Sequence, residues 1–505
     1  MSDRLSQQQL ESYLWGGATL LRGLVDASDY KQYIFPLLFF KRLSDIWNED
    51  YQEAFEETED EGYATDTAND RFVIPDGARW EDVRSVATNV GQALVDAFRS
   101  IETANPERLR GVFGNAPWTD KQQMPDETIK NLIEHFSSQK LSLALVPEDE
   151  LGNGYEYLIK QFADDSGHTA QEFYTNRTLV HLMAQMLEPK AGETIYDPTC
   201  GTGGMLISCL AEVKRKGEDH RTIGLFGQEL INMTASIARM NLVLHGVDDF
   251  DVRSGNTLHQ PSYIEADEMK TFDVVLANPP YSIKKWNRES WQSDPWGRNF
   301  LGTPPQGRAD YAFFQHILKS MDPKTGRCAI LFPHGVLFRN EEAEMRTKLI
   351  KSDLLECVLG LGGGLFYNSP MKACVVFCRT SKRDGRRGKV LFIDAVDEVA
   401  QERSQSFLRP EHQEKISNAY KAFSDEEGFA RVVDNKEILA LDGSLSLARY
   451  IQRLSSTVED YEHTNLESTW AGFEEEGKSF WSDMDALTCM LDSIIIKEDS
   501  SDEGL

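Results

Sequence analysis

The chain has 505 residues, too many for one ordinary core, so its length predicts two or three domains. The formal net charge of −29 excludes a uniformly basic surface for nucleic acid. No apolar run reaches the roughly 20 residues that span a bilayer. The start, MSDRLSQQQL, has no secretory segment. We therefore expect a cytoplasmic protein with no membrane role. The seven cysteines are scattered without a CxxC pair, which favours reduced thiols and no metal.

Apolar residues recur at helical spacing near the start of the chain, for example Leu10, Leu14, Leu21 and Leu24. This spacing predicts a helical N-terminal domain over residues 1–150. The stretch 147–168 is rich in Gly, Asp and Glu, which is typical of a connector.

Residues 151–400 alternate short apolar runs with helical patterns, as expected of βαβ units and a mostly parallel sheet. The runs are TIYD, TIGLFGQE, DFDVRSGN, FDVVLANPP, RCAILFP, DLLECVLGL and ACVVFCR. The pattern predicts a doubly wound, Rossmann-like α/β domain. Residues 401–505 are predicted to be a helical C-terminal region and tail. An apolar stripe there fits either an internal core face or a partner helix: Phe480, Met484, Leu487, Leu491 and Ile494.

A glycine-rich turn follows the strand-like TIY and precedes the helical MLISCLAEVKRK. It contains Asp197, Thr199, Gly201 and Gly203. Glycines at a strand-to-helix turn let a ligand approach the backbone, and the helix N-terminus favours an anionic group such as a carboxylate.

Three more polar residues end the runs that follow, namely Glu229, Asn256 and Asn278. Side chains at the carboxyl ends of parallel strands converge on one edge of the sheet, and a carboxylate there can accept hydrogen bonds from ribose hydroxyls. A nucleoside that carries a carboxylate is most simply S-adenosylmethionine. A nicotinamide dinucleotide is the competing ligand, although the chain has GTGG where that fingerprint requires GxGxxG.

The tetrad Asn278-Pro279-Pro280-Tyr281 ends the fourth run. An amine on an aromatic ring is a poor nucleophile because its lone pair is delocalised. The Asn278 side-chain oxygen and the Pro279 carbonyl can each accept one N–H of such an amine and so localise the lone pair. Tyr281 offers a face for a planar base swung out of its stack. The alternative is a proline-rich turn with no catalytic role.

Basic residues cluster in two places despite the acidic total. Each cluster is either a nucleic-acid contact or a solvated loop. The first contains Lys284, Lys285, Arg288, Arg298 and Arg308, and the second Lys382, Arg383, Arg386, Arg387 and Lys389.

Together these residues resemble the amino-methyltransferases that act on N6 of adenine. The whole chain resembles the HsdM-like modification (M) subunit of type I restriction-modification systems. The resemblance extends to LESYLWGGATLLRG, to EFYT, to GRADYAFFQHILKSM and to LSLARYI. One departure is Asn176, where that family usually has proline.

The resemblance implies an S-adenosylmethionine-dependent methyltransferase domain and a role for each residue. Phe173, Tyr174 and Thr175 would border the methionine part of the cofactor, above the turn formed by Asp197, Thr199, Gly201 and Gly203. Glu229 would hold the ribose and Asn256 would lie beside the adenine. Asn278, which also belongs to the cofactor set, would handle the target base with Pro279, Pro280 and Tyr281.

The implied partners are double-stranded DNA and a separate specificity (S) subunit that binds two M subunits, with a restriction (R) subunit in some complexes. No large insertion interrupts the α/β part, which independently favours sequence recognition by another chain. Two other functions are weighed against this one. The first is a methyltransferase for protein glutamine or RNA, and the second is a scaffold that only organises a DNA-binding complex.

Overall fold

The computed structural model describes residues 4–165, 175–247, 249–365, 372–401 and 406–453. Its N-terminal part is helical. The helices are α1 (Gln7–Thr19), α2 (Tyr30–Thr58), α3 (Glu61–Ala68), α4 (Trp80–Arg84), α5 (Val90–Ala104), α6 (Asp126–Ser137) and α7 (Glu148–Asp165). Among the described residues, no helix is both long and apolar enough to cross a membrane.

Helix α7 corrects the prediction of a connector at 147–168. Its residues Leu151, Tyr155 and Leu158 are fully buried in the N-terminal core. The two glycines that suggested a loop are sites of close packing, because an added Cβ would lie 2.5 Å from His245 at Gly152 and 2.7 Å from Leu14 at Gly154. Their small size therefore serves helix contact rather than a turn.

A nine-stranded sheet follows, in the order β13-β10-β8-β9-β7-β6-β1-β2-β3. Its strands are β1 (Thr194–Asp197), β2 (Gly224–Glu229), β3 (Phe250–Ser254), β6 (Val274–Ala277), β7 (Arg327–Pro333), β8 (Leu355–Leu361), β9 (Ala373–Arg379), β10 (Lys389–Ala395) and β13 (Ala430–Asp434). The short strands β4 (Ile264–Glu265) and β5 (Glu268–Met269) form an antiparallel pair, as do β11 (Ala400–Gln401) and β12 (Ser406–Phe407). All seven predicted strands are present.

Helices cover both faces of this sheet, which explains why its strands are apolar throughout. In β7, Ala329 and Leu331 face one core cluster while Cys328 and Ile330 face the other, as the two-residue period of a strand requires. The helices are α8 (Arg177–Leu187), α9 (Gly204–Arg215), α10 (Asn232–Leu244), α11 (Arg288–Gln292), α12 (Asp310–Lys319), α13 (Ala343–Lys351), α14 (Pro410–Ala422) and α15 (Asn435–Ala440).

The sheet is mixed, as two strands run against their neighbours. Strand β9 is inserted antiparallel between β7 and β8, and β13 pairs antiparallel with β10 at the edge. The predicted domain division at residues 150 and 400 stays a prediction, but β13 shows that the sheet takes a strand from beyond residue 400. The predicted apolar stripe from Phe480 to Ile494 lies outside the described residues.

Candidate active site

Four neighbouring parallel strands end at one edge of the sheet, beside a cavity of about 1190 Å³. In sheet order they are β6, β1, β2 and β3. Seven of the predicted residues line the cavity, namely Thr199, Gly201, Glu229, Asn256, Asn278, Pro279 and Pro280. The predicted convergence of strand-end residues is therefore present. Phe173 and Tyr174 lie outside the described residues.

The glycine turn runs from β1 into α9 and has two glycines in the left-handed region. Gly201 has φ +53°, and an added Cβ would meet no protein atom within 4 Å, so this side of the turn is open. Gly203, with φ +84°, precedes α9 and would place its Cβ 3.6 Å from Ala238. Gly201 thus leaves room for a ligand, whereas Gly203 is favoured by its left-handed backbone, since an added Cβ would make only ordinary contact with Ala238.

Glu229 ties the end of β2 to this turn. One carboxylate oxygen accepts the Gly201 N–H at 3.1 Å and the other accepts the Ile231 N–H at 2.9 Å. A carboxylate has about four lone-pair sites, so both oxygens keep the capacity to accept a hydroxyl hydrogen. These backbone bonds fix the carboxylate at the cavity wall.

Asp197 lies beneath the turn, buried and outside the cavity lining. Its carboxylate accepts the Thr199 N–H at 3.0 Å. Burial raises the pKa of Asp197 to about 7, and the neighbouring Glu229 carboxylate adds to the rise. The Asp197 carboxyl therefore changes charge near neutral pH.

Asn256 ends β3 and is exposed at the cavity. Its side-chain oxygen accepts the N–H groups of Leu258 and His259, each at 3.1 Å, which forms a local turn. The side-chain oxygen is thus engaged by its own loop, and the amide nitrogen is the group left for a ligand.

The Asn278 amide is held at both ends by hydroxyl groups. Its Nδ2 donates to Thr175 Oγ1 at 2.8 Å, and its Oδ1 accepts the Tyr281 hydroxyl at 2.6 Å. Sequence reasoning placed Thr175 beside the cofactor and did not foresee this bond to the target-base residue. The bond to Thr175 holds the Asn278 amide in place on the side opposite Tyr281.

Tyr281 packs partly buried against the core of the sheet and does not line the cavity. Burial raises the pKa of its hydroxyl well above the usual value, so the group stays protonated and can donate to Asn278. Stacking of a base on this ring stays a prediction, and it requires the ring to turn towards the cavity.

Asp310, which sequence reasoning noted only in a resemblance, holds the loop after the tetrad. Its Oδ1 accepts the N–H of Ser282 at 2.9 Å, and its Oδ2 accepts Arg339 Nη1 at 2.8 Å. Ser282 has φ +53°, an uncommon conformation for a residue other than glycine. The buried Asp310 carboxylate therefore stabilises a strained turn directly after Tyr281.

Arg298 was grouped with candidate DNA contacts, but it is buried with 1% exposure. Its guanidinium bonds Asp294 Oδ1 at 3.0 and 2.7 Å, and it donates to the carbonyls of Thr257 at 2.8 Å and Leu258 at 3.0 Å. It also lies between the rings of Trp291 and Trp296. Arg298 thus joins the loop after the tetrad to the turn that follows Asn256.

Other basic residues of the two predicted groups also have internal roles. Arg288 donates to the Pro304 carbonyl at 2.7 Å, and Arg308 pairs with Glu341 at 3.0 Å. In the second group, Lys382 pairs with Asp353 at 2.7 Å and Arg386 with Glu356 at 3.3 Å. Lys382 and Arg386 are buried, so their interpretation as nucleic-acid contacts is wrong, whereas for Arg288 and Arg308 it stays a prediction.

The helical N-terminal part forms another wall of the cavity, which sequence reasoning missed. Lys31 and Phe35 of α2 and Ile159 and Phe162 of α7 line it. The N-terminal core also continues onto α10 through Ile237 and its neighbours. The periodicity of α7 was the sequence signal that could have revealed this wall.

The fold and the site together define a Rossmann-like, S-adenosylmethionine-dependent methyltransferase. A strand-end Gly turn, an acidic residue on the next strand and the Asn278-Pro279-Pro280 part of the tetrad share one cavity. Residues 146–459 match the family model described as N-6 DNA Methylase, and residues 10–136 match the HsdM N-terminal domain.

Curated relatives agree with these matches. The chain is 30% identical to a type I restriction enzyme methylase subunit of Methanocaldococcus jannaschii over 92% of this chain and 81% of the relative. It is 32% identical to one from Haemophilus influenzae over 64% of this chain and 75% of the relative. A crystal structure of a type I restriction-modification methyltransferase subunit from Streptococcus thermophilus is 30% identical with a TM-score of 0.78. It covers 89% of this chain and 100% of that one.

The chain therefore belongs to the N-6 DNA methylase family, among the methylase subunits of type I restriction enzymes. It is an adenine-specific DNA methyltransferase. This membership favours adenine in DNA over the alternatives of protein glutamine, RNA or a scaffold role.

We expect Thr175→Val to lower the rate constant of methyl transfer by about two- to tenfold, because one hydrogen bond that orients the Asn278 amide is lost. Thr175→Ser keeps the hydroxyl and should retain most of the activity. The measurement is single-turnover methyl transfer with saturating cofactor and DNA. Equal rates for the Val and Ser variants would contradict the orienting role.

We expect Arg298→Met to lower the free energy of unfolding by about 3–5 kcal/mol, because it leaves Asp294 buried and unpaired. The matched control is Arg288→Met, which removes one bond to a carbonyl at a half-buried position. Denaturant unfolding of both variants tests this. A small loss for Arg298→Met, similar to that of the control, would be evidence against the structural role.

Proposed function

We propose that this chain transfers a methyl group from S-adenosylmethionine to N6 of an adenine flipped out of double-stranded DNA. In this proposal it acts as the modification subunit of a type I complex. A separate specificity subunit, bound by two such chains, selects the DNA sequence, and some complexes include a restriction subunit. The observation that carries the proposal is that Asn278 and Pro279 line the same cavity as Gly201 and Glu229.

The residues at the turn fit such a cofactor. Gly201 faces open space, and the first turn of α9 directs its backbone N–H groups towards an anionic group. Glu229 can accept the ribose hydroxyls, since the backbone holds both its oxygens at the cavity wall and a carboxylate has about four acceptor sites. When bound, S-adenosylmethionine supplies a methyl group on a sulfonium, whose C–S bond breaks as the N6–C bond forms.

Asn278 and Pro279 then prepare the base. The Asn278 Oδ1 accepts one N–H of N6 and the Pro279 carbonyl accepts the other, so the lone pair is localised on the nitrogen. A neutral amide is not a base, and the surplus proton on N6 therefore leaves to water after transfer. Positioning and these hydrogen bonds account for the rate enhancement.

The Tyr281 hydroxyl bonds one of the two lone-pair sites of Asn278 Oδ1, so N6 binds at the second site or takes the place of that hydroxyl. Its departure frees the ring to stack on the base, so one side-chain movement would expose both the acceptor and the stacking face. Thr175 keeps the Asn278 amide oriented during this exchange.

Labelled S-adenosylmethionine and DNA, with and without the specificity subunit, test the proposal. We expect transfer to adenine with that subunit present. Asn278→Ala should lose transfer yet bind the cofactor with nearly unchanged affinity, because the lost acceptor acts on the base. Calorimetry checks the second point. Loss of cofactor binding in Asn278→Ala would assign Asn278 to the cofactor instead, and methylation of RNA or protein but never adenine would overturn the proposal.

Cofactor affinity should rise with pH up to about pH 7. In the free protein Asp197 is largely protonated below its pKa of about 7, and the cationic cofactor favours the charged carboxylate, so binding releases a proton. The dissociation constant should fall by up to about tenfold per pH unit below pH 7 and level off above it.

Calorimetry at pH 6 in buffers of different ionisation enthalpy measures that proton. The control is Asp197→Asn, which has no carboxyl and should show neither the proton release nor the steep pH dependence. The same proton release in Asp197→Asn would show that another group is responsible.

A further inference from the structure

We propose that Lys284 and Lys285 bind backbone phosphates of the DNA strand whose adenine enters the Asn278 site. This inference depends on the proposed function, since it identifies the part of the DNA that lies at the mouth of the cavity. Both lysines line that cavity, three and four residues after Tyr281.

The two lysines differ from the other basic residues that follow the tetrad. Both are exposed. Neither side chain has a hydrogen bond or an ion pair with the part of the chain that the structure describes, whereas Arg288, Arg298 and Arg308 are engaged internally. The pair is therefore available for an anion from outside the protein.

The backbone that carries the lysines is fixed on both sides. The Ser282 N–H is bonded to the buried Asp310, and the buried Trp286 donates its Nε1 to the Gln306 carbonyl at 3.1 Å. Gln306 in turn donates Nε2 to the Lys284 carbonyl at 3.0 Å. A braced backbone with free side chains presents two ammonium groups beside the target site at little cost in backbone entropy.

The local charge at the cavity is opposite in sign to that of the whole chain. Among its lining residues, three lysines (Lys31, Lys284 and Lys285) outnumber the single carboxylate of Glu229, although the net charge is −29. Salt screens charges more than about 8 Å apart, so a phosphate at the mouth is attracted by the near lysines more than it is repelled by distant acids.

A flipped nucleotide stays joined to its strand, so its flanking phosphates reach the protein surface where the base enters the pocket. Lysine is suited to this contact because its ammonium binds phosphate as a mobile point charge without base preference. The chemistry predicted for the two lysines is thus sequence-independent binding on the target strand.

The test uses Lys284→Gln/Lys285→Gln in the full chain, assembled with the specificity subunit of the proposed complex, and a duplex of about 30 base pairs with one unpaired adenine, which lowers the cost of base flipping. The affinity is measured over a range of salt concentrations. We expect the negative slope of log affinity against log salt to fall in magnitude by about 1–2, because each phosphate contact contributes about 0.9. Lys284→Arg/Lys285→Arg should restore it.

The matched control is Lys351→Gln/Lys436→Gln, which removes the same charge from exposed positions near the Asn435–Ile350 hydrogen bond, outside the cavity lining. The slope of this control should equal that of the unmodified protein. An unchanged slope for Lys284→Gln/Lys285→Gln would overturn the inference. An equally reduced slope for the control would also overturn it.

Calorimetry of cofactor binding verifies that Lys284→Gln/Lys285→Gln is folded. A variant that loses assembly with the specificity subunit but keeps the DNA slope would assign the lysines to a protein contact and also overturn the inference. The readout is DNA affinity, not methyl transfer, so failure of the proposed reaction and failure of this inference are distinguishable.

Discussion

The parallel pairing of β6, β1, β2 and β3 is the constraint on which the site depends. Asp197 is paired with Gly227 on β2, which continues two residues further to Glu229. At Gly227 an added Cβ would lie 2.9 Å from Cys200 Sγ, and the Cys200 N–H donates to the Gln228 carbonyl at 3.0 Å. The glycine turn can therefore lie across β2, which brings the Gly201 N–H to Glu229. A slip of one residue would turn these side chains to the wrong face.

The reactive end of the site has a different character, because it is held by neutral hydrogen bonds. The Asn278 amide bonds two hydroxyls, Thr175 on one side and Tyr281 on the other. Such bonds each contribute only about 0.5–1.5 kcal/mol, and the exchange of the Tyr281 hydroxyl for an adenine amine is nearly balanced. The rigid anchors lie one layer behind, where Asp310 and Arg298 fix the loop through charged groups that are buried. Rigid support combined with an exchangeable contact suits a pocket that must admit a base and then release it.

Features that are determined by residues close together in the sequence could be predicted, and features that depend on contacts between distant segments could not. The strands and the places of Gly201, Glu229 and Asn278 follow from local periodicity and from the rule that parallel strands present their carboxyl ends together. Helix α7 was missed because a glycine is suited both to a turn and to a close contact between helices. For Gly152 and Gly154, only the residues packed against them in the fold, His245 and Leu14, show that the second role applies.

Contacts between distant segments were beyond local patterns. Arg298 could not be separated from Lys284 by sequence, since its partners Thr257 and Leu258 precede it by about forty residues and meet it only in the fold. The bond from Thr175 to Asn278 spans 103 positions and depends on side-chain rotamers. The position of β9, antiparallel between β7 and β8, likewise could not be predicted, because the periodicity of a strand does not determine its neighbours in the sheet.

The acidic charge and the basic mouth of the cavity make sense together. A chain with net charge −29 has little general attraction for a duplex, so the counterion release that drives non-specific binding is weak. Lysine side chains then attract DNA only where several lie close to the bound DNA strand. In the proposed complex, Lys284 and Lys285 have this position beside the tetrad. Two lysines at the cavity therefore hold a DNA strand only when that strand is already close to the cavity. In the proposed complex, a DNA-binding partner would supply the general attraction for a duplex that a net charge of −29 does not provide.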